Sequence, residues 1–343
     1  GAELTVLPSA QADLAAFKVG DKVTLLLTTT GQVAGAVSPD VAKSNAVGVA
    51  EVKGTTATIK LLDGILTLEG QTTYSEAAAA KLNGCLVTVS SYKRDYLTLS
   101  KVNGKGASTA LNLTTNRMGT KELSAGARFF EQVGNGRLVE IDRSDITITS
   151  IPANKITYVG YDWAGRVDKL VLNDVTGDRY DYGIIHYQPA GYQETPGNPD
   201  GNGEYKNGEI SVTNGSFPKG MPPYVVGSVD GAKTNRMGGV AGSLDQLDGK
   251  NRMAAFMPLN EATGIRRAQF DTDAMLLTTN SMVIPISDKV ECYNKTTGDW
   301  FKPGEDGDHK AALNLALAFS DDITVYYDRS PEEGGKVRIV VVE

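Results

Sequence analysis

Short runs of Val, Ile, Leu, Thr and Tyr recur along the chain, and turns that contain Gly separate them. Runs of this length and composition are typical of short β-strands joined by tight turns. The clearest runs lie at residues 22–27, 57–62, 86–89, 96–99, 145–148 and 337–342. The pattern predicts a mainly β protein of tandem small barrel-like or sandwich-like modules, with few short helices.

Two segments carry features of a helix. Residues 75–83 are predicted to form one, because Ser75 suits an N-cap, four consecutive Ala residues favour propagation and Gly84 suits a left-handed end. The second candidate is residues 310–317. Its Leu residues at every second position are also the pattern of a strand, so both interpretations stay open there.

One hairpin design occurs three times, which predicts related modules near the start, middle and end of the chain. Each copy has Val or Ile followed by Thr, an apolar strand, a turn with Gly, and a restart of Gly, a polar residue and Val. The copies span residues 23–37, 156–172 and 323–342, and the restart residues are Val33, Val167 and Val337. The tripeptide Asn-Arg-Met also recurs, at residues 116–118, 235–237 and 251–253, and the pattern gives no physical reason for it.

The chain of 343 residues is long enough for several cores. Residues 189–209 contain a run rich in Pro, Gly and Asn, which predicts an exposed loop or linker. We therefore predict one or more N-terminal β modules over 1–112, a middle β module over 113–188 and a C-terminal β module over 210–343. A weaker boundary is expected at residues 103–106.

Charge and composition limit the classes of partner that we expect. Lys and Arg total 34 against 41 for Asp and Glu, a net charge of −7 without a basic block, so we expect no nucleic-acid partner. No apolar stretch approaches the roughly 20 residues that cross a bilayer, and no signal peptide opens the sequence, so we expect no membrane insertion and place any targeting segment elsewhere. Cys85 and Cys292 are expected to be free thiols in different modules.

Candidate catalytic groups are few. The only histidines are His186 and His309, and no Gly-x-Ser-x-Gly motif accompanies them. The adjacent acids at 321–322 and 332–333 point to opposite faces of a strand, so neither pair can flank one glycosidic bond. We expect no enzyme, no catalytic residue and no cofactor.

Two acidic loops leave calcium binding open, and no metal ligand is assigned. The loop with Asp200 and Asn202 begins like an EF-hand, but Tyr205 stands where that motif needs Gly. The loop with Asp306 and Asp308 has oxygen ligands, yet such a sequence is also typical of a solvated turn.

Aromatic side chains supply the candidate ligand-binding residues, because Tyr and Trp stack on sugar rings. The candidates are Tyr161, Trp163, Tyr182 and Trp300. The same residue types also pack between neighbouring strands. A glycan platform requires these rings to be exposed and to share one groove.

Several strings resemble the non-anchoring region of S-layer-homology-domain proteins from anaerobic Gram-positive bacteria of the Firmicutes. They are IPANKITYVGYDWAGRV at 151–167, LVLNDVTGDRYDYG at 170–183, CYNKTTGDWF at 292–301, YYD at 326–328 and GGKVR at 334–338. The resemblance implies an extracellular location in the cell wall or S-layer, with anchoring repeats elsewhere in the full protein. It brings no catalytic residues.

Three hypotheses follow. The first is a non-catalytic structural or interaction segment of a surface protein, with cell-wall polymer or other surface-protein subunits as partners. The alternative is a carbohydrate-binding module for cell-wall or environmental glycans. A glycan-active enzyme, with carboxylates from different modules, is the least favoured; a deep pocket lined by converging ionisable groups would argue against the first hypothesis.

Overall fold

The computed structural model describes residues 3–15, 17, 19, 23–37, 46–62, 67–93, 96–102, 106–162, 164–194, 203–247 and 249–343. Backbone contacts divide the chain into two compact units, Gly1–Asn103 and Gly104–Glu343, called unit 1 and unit 2 below. The protein is mainly β with barrel and half-barrel sheets and few short helices, which confirms the predicted fold class. None of the described helices combines the length and apolar character needed to cross a bilayer.

Unit 1 contains a hairpin and a closed barrel. Its elements are α1 (Gln11–Leu14), β1 (Thr24–Leu27), β2 (Val33–Val37), β3 (Ala46–Lys53), β4 (Thr56–Leu61), β5 (Thr67–Thr72), α2 (Glu76–Ala80), β6 (Leu86–Lys93) and β7 (Tyr96–Lys101), with a 3-10 turn at Pro8–Ala10. Strands β1 and β2 form a two-stranded sheet. Strands β3 to β7 form the first barrel, in the order β3-β4-β5-β7-β6, with β6 pairing back to β3.

The first barrel follows from period-two alternation along its strands. In β5 the odd positions are exposed and the even ones buried, and Leu68 joins Ile59, Val87, Leu97 and Leu99 in the core. Among the described residues of this barrel, only β5 and β7 pair in parallel. The fifth strand therefore lies between the third and the fourth, as in a five-stranded Greek-key barrel.

Unit 2 contains three modules. The first sheet module comprises β8 (Leu111–Asn112), β9 (Arg117–Met118), β10 (Lys121–Gln132), β11 (Val139–Ile141), β12 (Ser150–Ile151), β13 (Ile156–Tyr161) and β14 (Val167–Asn173). The second barrel comprises β15 (Asp181–Gln188), β18 (Gly208–Thr213), β19 (Tyr224–Val226), β20 (Met237–Leu247) and β21 (Lys250–Pro258). A separate hairpin, β16 (Gly191–Glu194) and β17 (Gly203–Lys206), lies between β15 and β18 along the chain.

The second sheet module completes unit 2. It comprises β22 (Asn260–Ile265), β23 (Phe270–Asp271), β24 (Leu276–Thr278), β25 (Val283–Asn294), β26 (Asp299–Phe301), α3 (His309–Phe319), β27 (Ile323–Tyr327) and β28 (Val337–Val342). The described residues of the two sheet modules include five 3-10 turns, at Arg143–Asp145, Ala153–Lys155, Arg267–Gln269, Glu305–Gly307 and Pro331–Glu333.

The second barrel repeats the first. Its order is β15-β18-β19-β21-β20, and again only the third and fifth strands of the barrel pair in parallel. Gly84 in one barrel and Asn235 in the other both adopt positive φ, of 71° and 61°. Their N–H groups donate to equivalent carbonyls, Gly84 to Ala50 at 2.6 Å and Asn235 to Ile185 at 2.8 Å. The two barrels are therefore copies of one module.

The two sheet modules are also copies of each other. The path β8-β9-β10-β14-β13 matches β23-β24-β25-β28-β27, and each long central strand pairs in parallel with the return strand of the hairpin. Asn116 and Met275 both have positive φ, of 53° and 50°. Their carbonyls accept the N–H groups of Leu123 and Ile286, both at 2.8 Å.

The three predicted hairpins are confirmed as the antiparallel pairs β1–β2, β13–β14 and β27–β28. In each pair, one residue of the return strand near the turn has no opposite residue on the first strand. This shift in register brings Val33, Val167 and Val337 into equivalent buried positions. One side chain caps each turn by accepting the N–H of the polar restart residue. These bonds join Gln32 to Thr28 (3.0 Å), Arg166 to Asp162 (2.9 Å) and Lys336 to Asp328 (2.8 Å).

The segment predicted as a loop or linker between modules, residues 189–209, contains β16 and β17. The strands on either side of it, β15 and β18, are neighbours in the second barrel, so it connects two strands of one module. Residues 195–202 of this segment, and most of the weaker boundary at 103–106, lie outside the described residues.

Residues 310–317, for which helix and strand were both open, lie in α3. Asp308 begins this helix, because its carboxylate accepts the N–H groups of Lys310 and Ala311 at 2.9 and 3.3 Å. Leu313 and Leu317 face the core while Leu315 is exposed. Helix α2 covers the middle of the other predicted helix, and Gly84 follows it in the left-handed region.

Candidate functional site

The four aromatic candidates do not form one exposed platform among the described residues. Tyr161 is half exposed, with the Lys121 ammonium 5.9 Å from its ring centre. Tyr182 is buried, and Trp300 packs against Tyr293 with ring centres 4.9 Å apart. Trp163 lies outside the described residues.

Buried charge instead converges on Arg338, which occupies the middle of β28 and is 1% exposed. Its guanidinium has five N–H donors, and five hydrogen bonds are present. The acceptors are Asp328 Oδ2 at 2.9 Å from Nε and 2.8 Å from Nη2, Asp178 Oδ1 at 2.5 Å, Ser287 Oγ at 3.1 Å and the Thr176 carbonyl at 2.5 Å. We call Arg338 and these partners the Arg338 cluster.

Neighbouring side chains complete the cluster. Lys336 Nζ donates to Asp178 Oδ2 at 2.8 Å, and the Tyr182 ring lies 5.0 Å from the guanidinium carbon. Burial alone would raise the pKa of Asp178, but the charges of Arg338 and Lys336 outweigh it and hold that pKa below its ordinary value. The same reasoning explains the raised pKa of Arg338: burial opposes the charged form, and the facing Tyr182 and acidic groups more than compensate.

The loop between β14 and β15, residues 174–180, is fixed from two sides. Glu131, on β10 of the first sheet module, accepts the N–H groups of Val175 and Thr176 at 2.5 and 2.7 Å, and also the Thr176 hydroxyl. Arg329, in the second sheet module, donates to the Val175 carbonyl at 2.9 Å and to Asp174 at 2.5 Å. This connection into the second barrel is therefore held by both sheet modules.

Gly177 is required at the centre of this loop. Its φ is 73°, and a Cβ there would lie 2.3 Å from Asp328 Oδ2 and 2.4 Å from Arg338 Nη2. Any side chain would displace the ion pair, in addition to the backbone strain of the left-handed conformation.

A second cluster of ionisable groups surrounds a small cavity of about 90 Å³ beside Glu291. Glu291 Oε2 accepts the N–H of Gly215 at 2.8 Å, and His309 Nδ1 lies 3.9 Å from Oε1 while it donates to the Val290 carbonyl at 3.1 Å. Burial, with a smaller contribution from Asp181, raises the pKa of Glu291 to about 7. Burial also raises the pKa of Asp181.

This cavity brings together carboxyl groups from different modules, as the enzyme hypothesis requires. Asp181 comes from the second barrel and Glu291 from the second sheet module. The cavity is nevertheless far smaller than the roughly 300–1,000 Å³ of ordinary ligand pockets. It has room for water molecules and not for a sugar chain.

A larger groove of about 840 Å³ runs between the second barrel and the second sheet module. Its aromatic lining is Phe256, Tyr293 and Tyr326, and its charged lining includes Lys233 and Arg236. Trp300, one of the four aromatic candidates, packs against the Tyr293 ring that lines this groove.

Among the described residues, no group of three or more His, Cys, Asp or Glu side chains could hold a metal ion. Asp308 of one acidic loop caps α3, and Asp306 adopts a positive φ of 58°. The other acidic loop, with Asp200 and Asn202, lies outside the described residues. Cys85 is half buried and Cys292 is buried, both as free thiols.

The sequence-based reasoning missed the Arg338 cluster, although one indication was present. Arg338 interrupts the apolar run Val337 to Val342, and a charged residue in a buried strand needs partners. The identity of those partners depends on distant pairing: Asp178 is 160 residues away along the chain.

Comparisons with known proteins add no relative. No protein-family model matches the chain, and neither the curated proteins nor the solved structures include a significant match.

Proposed function

We propose that the chain is a non-catalytic structural segment of a bacterial cell-surface protein, in which tandem β modules are held in a fixed arrangement. The Arg338 cluster carries this proposal. It joins the second sheet module to the loop that leaves the first sheet module and, through the Tyr182 ring, to the second barrel.

The physical reason is the cost of separating these groups. Modules of one chain normally move relative to each other unless their interface prevents it. Here separation would take Asp178 and the Thr176 carbonyl away from the Arg338 guanidinium, which would keep only Asp328 and Ser287 of its own module. Buried ion pairs specify which surfaces meet more than they add net stability, so we expect the Arg338–Asp178 contact to fix how the modules of unit 2 dock.

The location is proposed on the resemblance to S-layer-homology-domain proteins described above. In that setting a rigid β segment spaces or displays other parts of the molecule, with cell-wall polymer or other surface-protein subunits as partners. The recurrence of barrel and sheet modules along the chain supports such a role, because repeat proteins are built by adding copies of one unit.

Distance measurements between spin labels test the rigid arrangement. Labels at Ser144→Cys and Thr263→Cys, both exposed, mark the two sheet modules, in a Cys85→Ser background that removes the half-buried thiol. We expect one narrow distance distribution, and a broader one after Arg338→Met. A broad distribution in the parent protein would contradict the proposal.

Glycan binding is the second candidate, favoured by the groove lined by Phe256, Tyr293 and Tyr326. A pull-down against purified cell-wall sacculi and a glycan array tests it, with Tyr326→Ala as the groove variant. Tyr96→Ala is the matched control, because Tyr96 is exposed on the first barrel and is not a candidate, and Tyr161→Ala tests an exposed candidate outside the groove. Trp163→Ala and Trp300→Ala test the original candidates. Binding lost only in Tyr326→Ala would favour this function over a purely structural one.

A panel of polysaccharide and peptidoglycan substrates tests the enzyme hypothesis. We expect no turnover. Turnover that Glu291→Gln abolishes would overturn the non-catalytic proposal and assign the small cavity as an active site.

A further inference from the structure

The larger groove is built from one face of the second sheet module and from residues of the second barrel. Strands β22, β27, β28 and β25 are consecutive neighbours in that module, and each contributes to the groove. On β27, Thr324 and Tyr326 line the groove, whereas Val325 between them is buried in the module core. The barrel adds Phe256 of β21 and residues 235–237, which lead into β20. The volume of about 840 Å³ lies within the range of ordinary ligand pockets.

Charged side chains in the groove are only partly paired with each other. Lys295 donates to Glu343 in an ion pair. Glu261 lies opposite Tyr326 in the β22–β27 pair. Burial and then Glu261 raise the pKa of Tyr326, and the charge of Arg236 opposes that shift, so both charges act on the Tyr326 hydroxyl. The complete set of charged lining residues is Lys233, Arg236, Glu261, Lys295 and Glu343.

Two cations of this set remain available to a ligand. Lys233 and Arg236 are exposed, and neither side chain forms an ion pair or a hydrogen bond with another described residue. Three cations and two carboxylates give the groove a net charge of +1, whereas the chain as a whole carries −7. An anionic ligand is therefore repelled by most of the protein surface and attracted to the end of the groove that holds Lys233 and Arg236.

The Asn-Arg-Met repeat shows that the availability of Arg236 is particular to this site. Asn116 and Asn235 both adopt positive φ directly before their Arg. In the first sheet module, Arg117 donates to Glu122 Oε1 and to the Thr120 carbonyl, both at 3.1 Å. The same local turn thus leads to an Arg that is paired within its own hairpin in one module, and to an unpaired Arg at the groove in the other.

The combination of rings and cations indicates the chemistry of the ligand. The rings of Phe256, Tyr293 and Tyr326 present apolar surface on which sugar faces stack. A guanidinium binds a carboxylate or a phosphate through two parallel hydrogen bonds, and an ammonium binds either group as a point charge. A neutral sugar would displace water from Arg236 without supplying a charged acceptor. An acidic sugar supplies one.

We propose that this groove binds an acidic glycan, in which Arg236 and Lys233 pair with carboxylate or phosphate groups while the three rings contact the sugar faces. The inference rests on the glycan-binding function considered above and names its ligand class.

Matched charged and neutral polymers test the ligand class with the full chain. Polygalacturonate is compared with its fully methyl-esterified form, in which the same chain has lost its charge, and phosphorylated dextran is compared with dextran. Affinities are measured by isothermal titration calorimetry. In at least one pair we expect the charged polymer to bind at least about tenfold more tightly than the neutral one, because hydrogen bonds to charged groups are the stronger ones. The pair that responds identifies the anionic group.

Substitutions at exposed positions locate the effect. Arg236→Met should remove most of the preference for the charged polymer, and Lys233→Met should reduce it. Arg117→Met is the matched control and should leave it unchanged, because Arg117 is paired within its own hairpin. A preference that persists in Arg236→Met would place acid binding elsewhere on the molecule and overturn the proposal.

Tyr326→Ala separates this inference from the function on which it rests. Equal affinities for charged and neutral polymers, both lost in Tyr326→Ala, would overturn the acidic ligand and leave glycan binding in place. Absence of binding to all four polymers would overturn both.

Discussion

Arg338 and Asp328 form a buried ion pair within one hairpin, with Nε and Nη2 both donating to Oδ2 at 2.9 and 2.8 Å. Asp328 uses its other oxygen to cap the turn of that hairpin, through the N–H of Lys336. The residue that shapes the repeated turn therefore also holds the charge that docks the neighbouring modules. In the two other hairpins, Thr28 and Asp162 occupy the same capping position; Thr28 carries no charge, and Asp162 pairs at 2.8 Å with Arg166, whose side chain is exposed.

Replacing Arg338 by Met should destabilise unit 2 by about 3–5 kcal/mol, because Asp328 would remain buried without its ion-pair partner and Asp178 would keep only Lys336. Both tryptophans lie in unit 2, so denaturant unfolding followed by Trp fluorescence reports on it. Arg117→Met is the control, since its ion pair with Glu122 is exposed and should contribute less than about 1 kcal/mol. Equal effects of the two substitutions would contradict a central role for Arg338.

Gly177→Ala should cost about 3 kcal/mol or more, because the new Cβ adds a collision with the ion pair to the strain of positive φ. Gly264→Ala isolates the strain alone: its φ is 69°, and nothing lies within 4 Å of its Cβ position. The control should cost about 1–2 kcal/mol. Both values come from the same fluorescence-detected unfolding. A cost at Gly177 no larger than at Gly264 would mean that the loop relaxes away from Asp328.

The local elements could be predicted well from the sequence, whereas the duplication of the modules could not, and both outcomes have physical reasons. Alternation and Gly turns predicted the three hairpins, since turn chemistry is encoded by neighbouring residues. The duplication of the barrel was not visible in the sequence, because the same left-handed backbone position is occupied by Gly84 in one barrel and by Asn235 in the other. That requirement explains two of the three Asn-Arg-Met repeats: Asn116 and Asn235 are both left-handed before a strand, whereas Asn251 lies inside β21.

The candidate site was harder to predict because its parts are distant in sequence. Tyr182 was selected as an exposed stacking ring, and it is buried beside Arg338. The two acidic residues that converge on Arg338 come from one hairpin and one connecting loop. Only the folded topology brings them together, so residue type alone gave no reason to choose Asp178 or Asp328 over the other acids.

The capping side chain of the repeated turn can be tested directly at Asp162, a partly buried residue of the first sheet module whose Oδ2 also pairs with Arg166. Its Oδ1 accepts the N–H groups of Ala164 and Arg166, both at 2.9 Å. Asp162→Asn retains an oxygen acceptor and should preserve most of the stability, whereas Asp162→Ala should speed hydrogen exchange across β13 and β14. If both variants exchange alike, the charge of Asp162 and not its hydrogen bonding holds the turn.

Glu291 makes the stability of unit 2 depend on pH near neutrality. Its pKa is raised from an ordinary value of 4.5 to about 7, chiefly by burial, so the folded state holds a proton that the unfolded state releases. The favourable contribution of the protonated form is fully present below pH 4.5, falls between pH 4.5 and 7, and is lost above pH 7. At about 1.4 kcal/mol per pH unit, the full loss is about 3 kcal/mol.

Glu291→Gln keeps an oxygen for the Gly215 N–H and cannot ionise, so this variant should be more stable than the parent at pH 8 and nearly equal to it at pH 5. Denaturant midpoints measured across this range check the prediction, with the exposed Glu332→Gln as a control whose profile should follow the parent. A parallel offset of the Glu291→Gln profile at every pH would show that packing, and not the proton, distinguishes the two side chains.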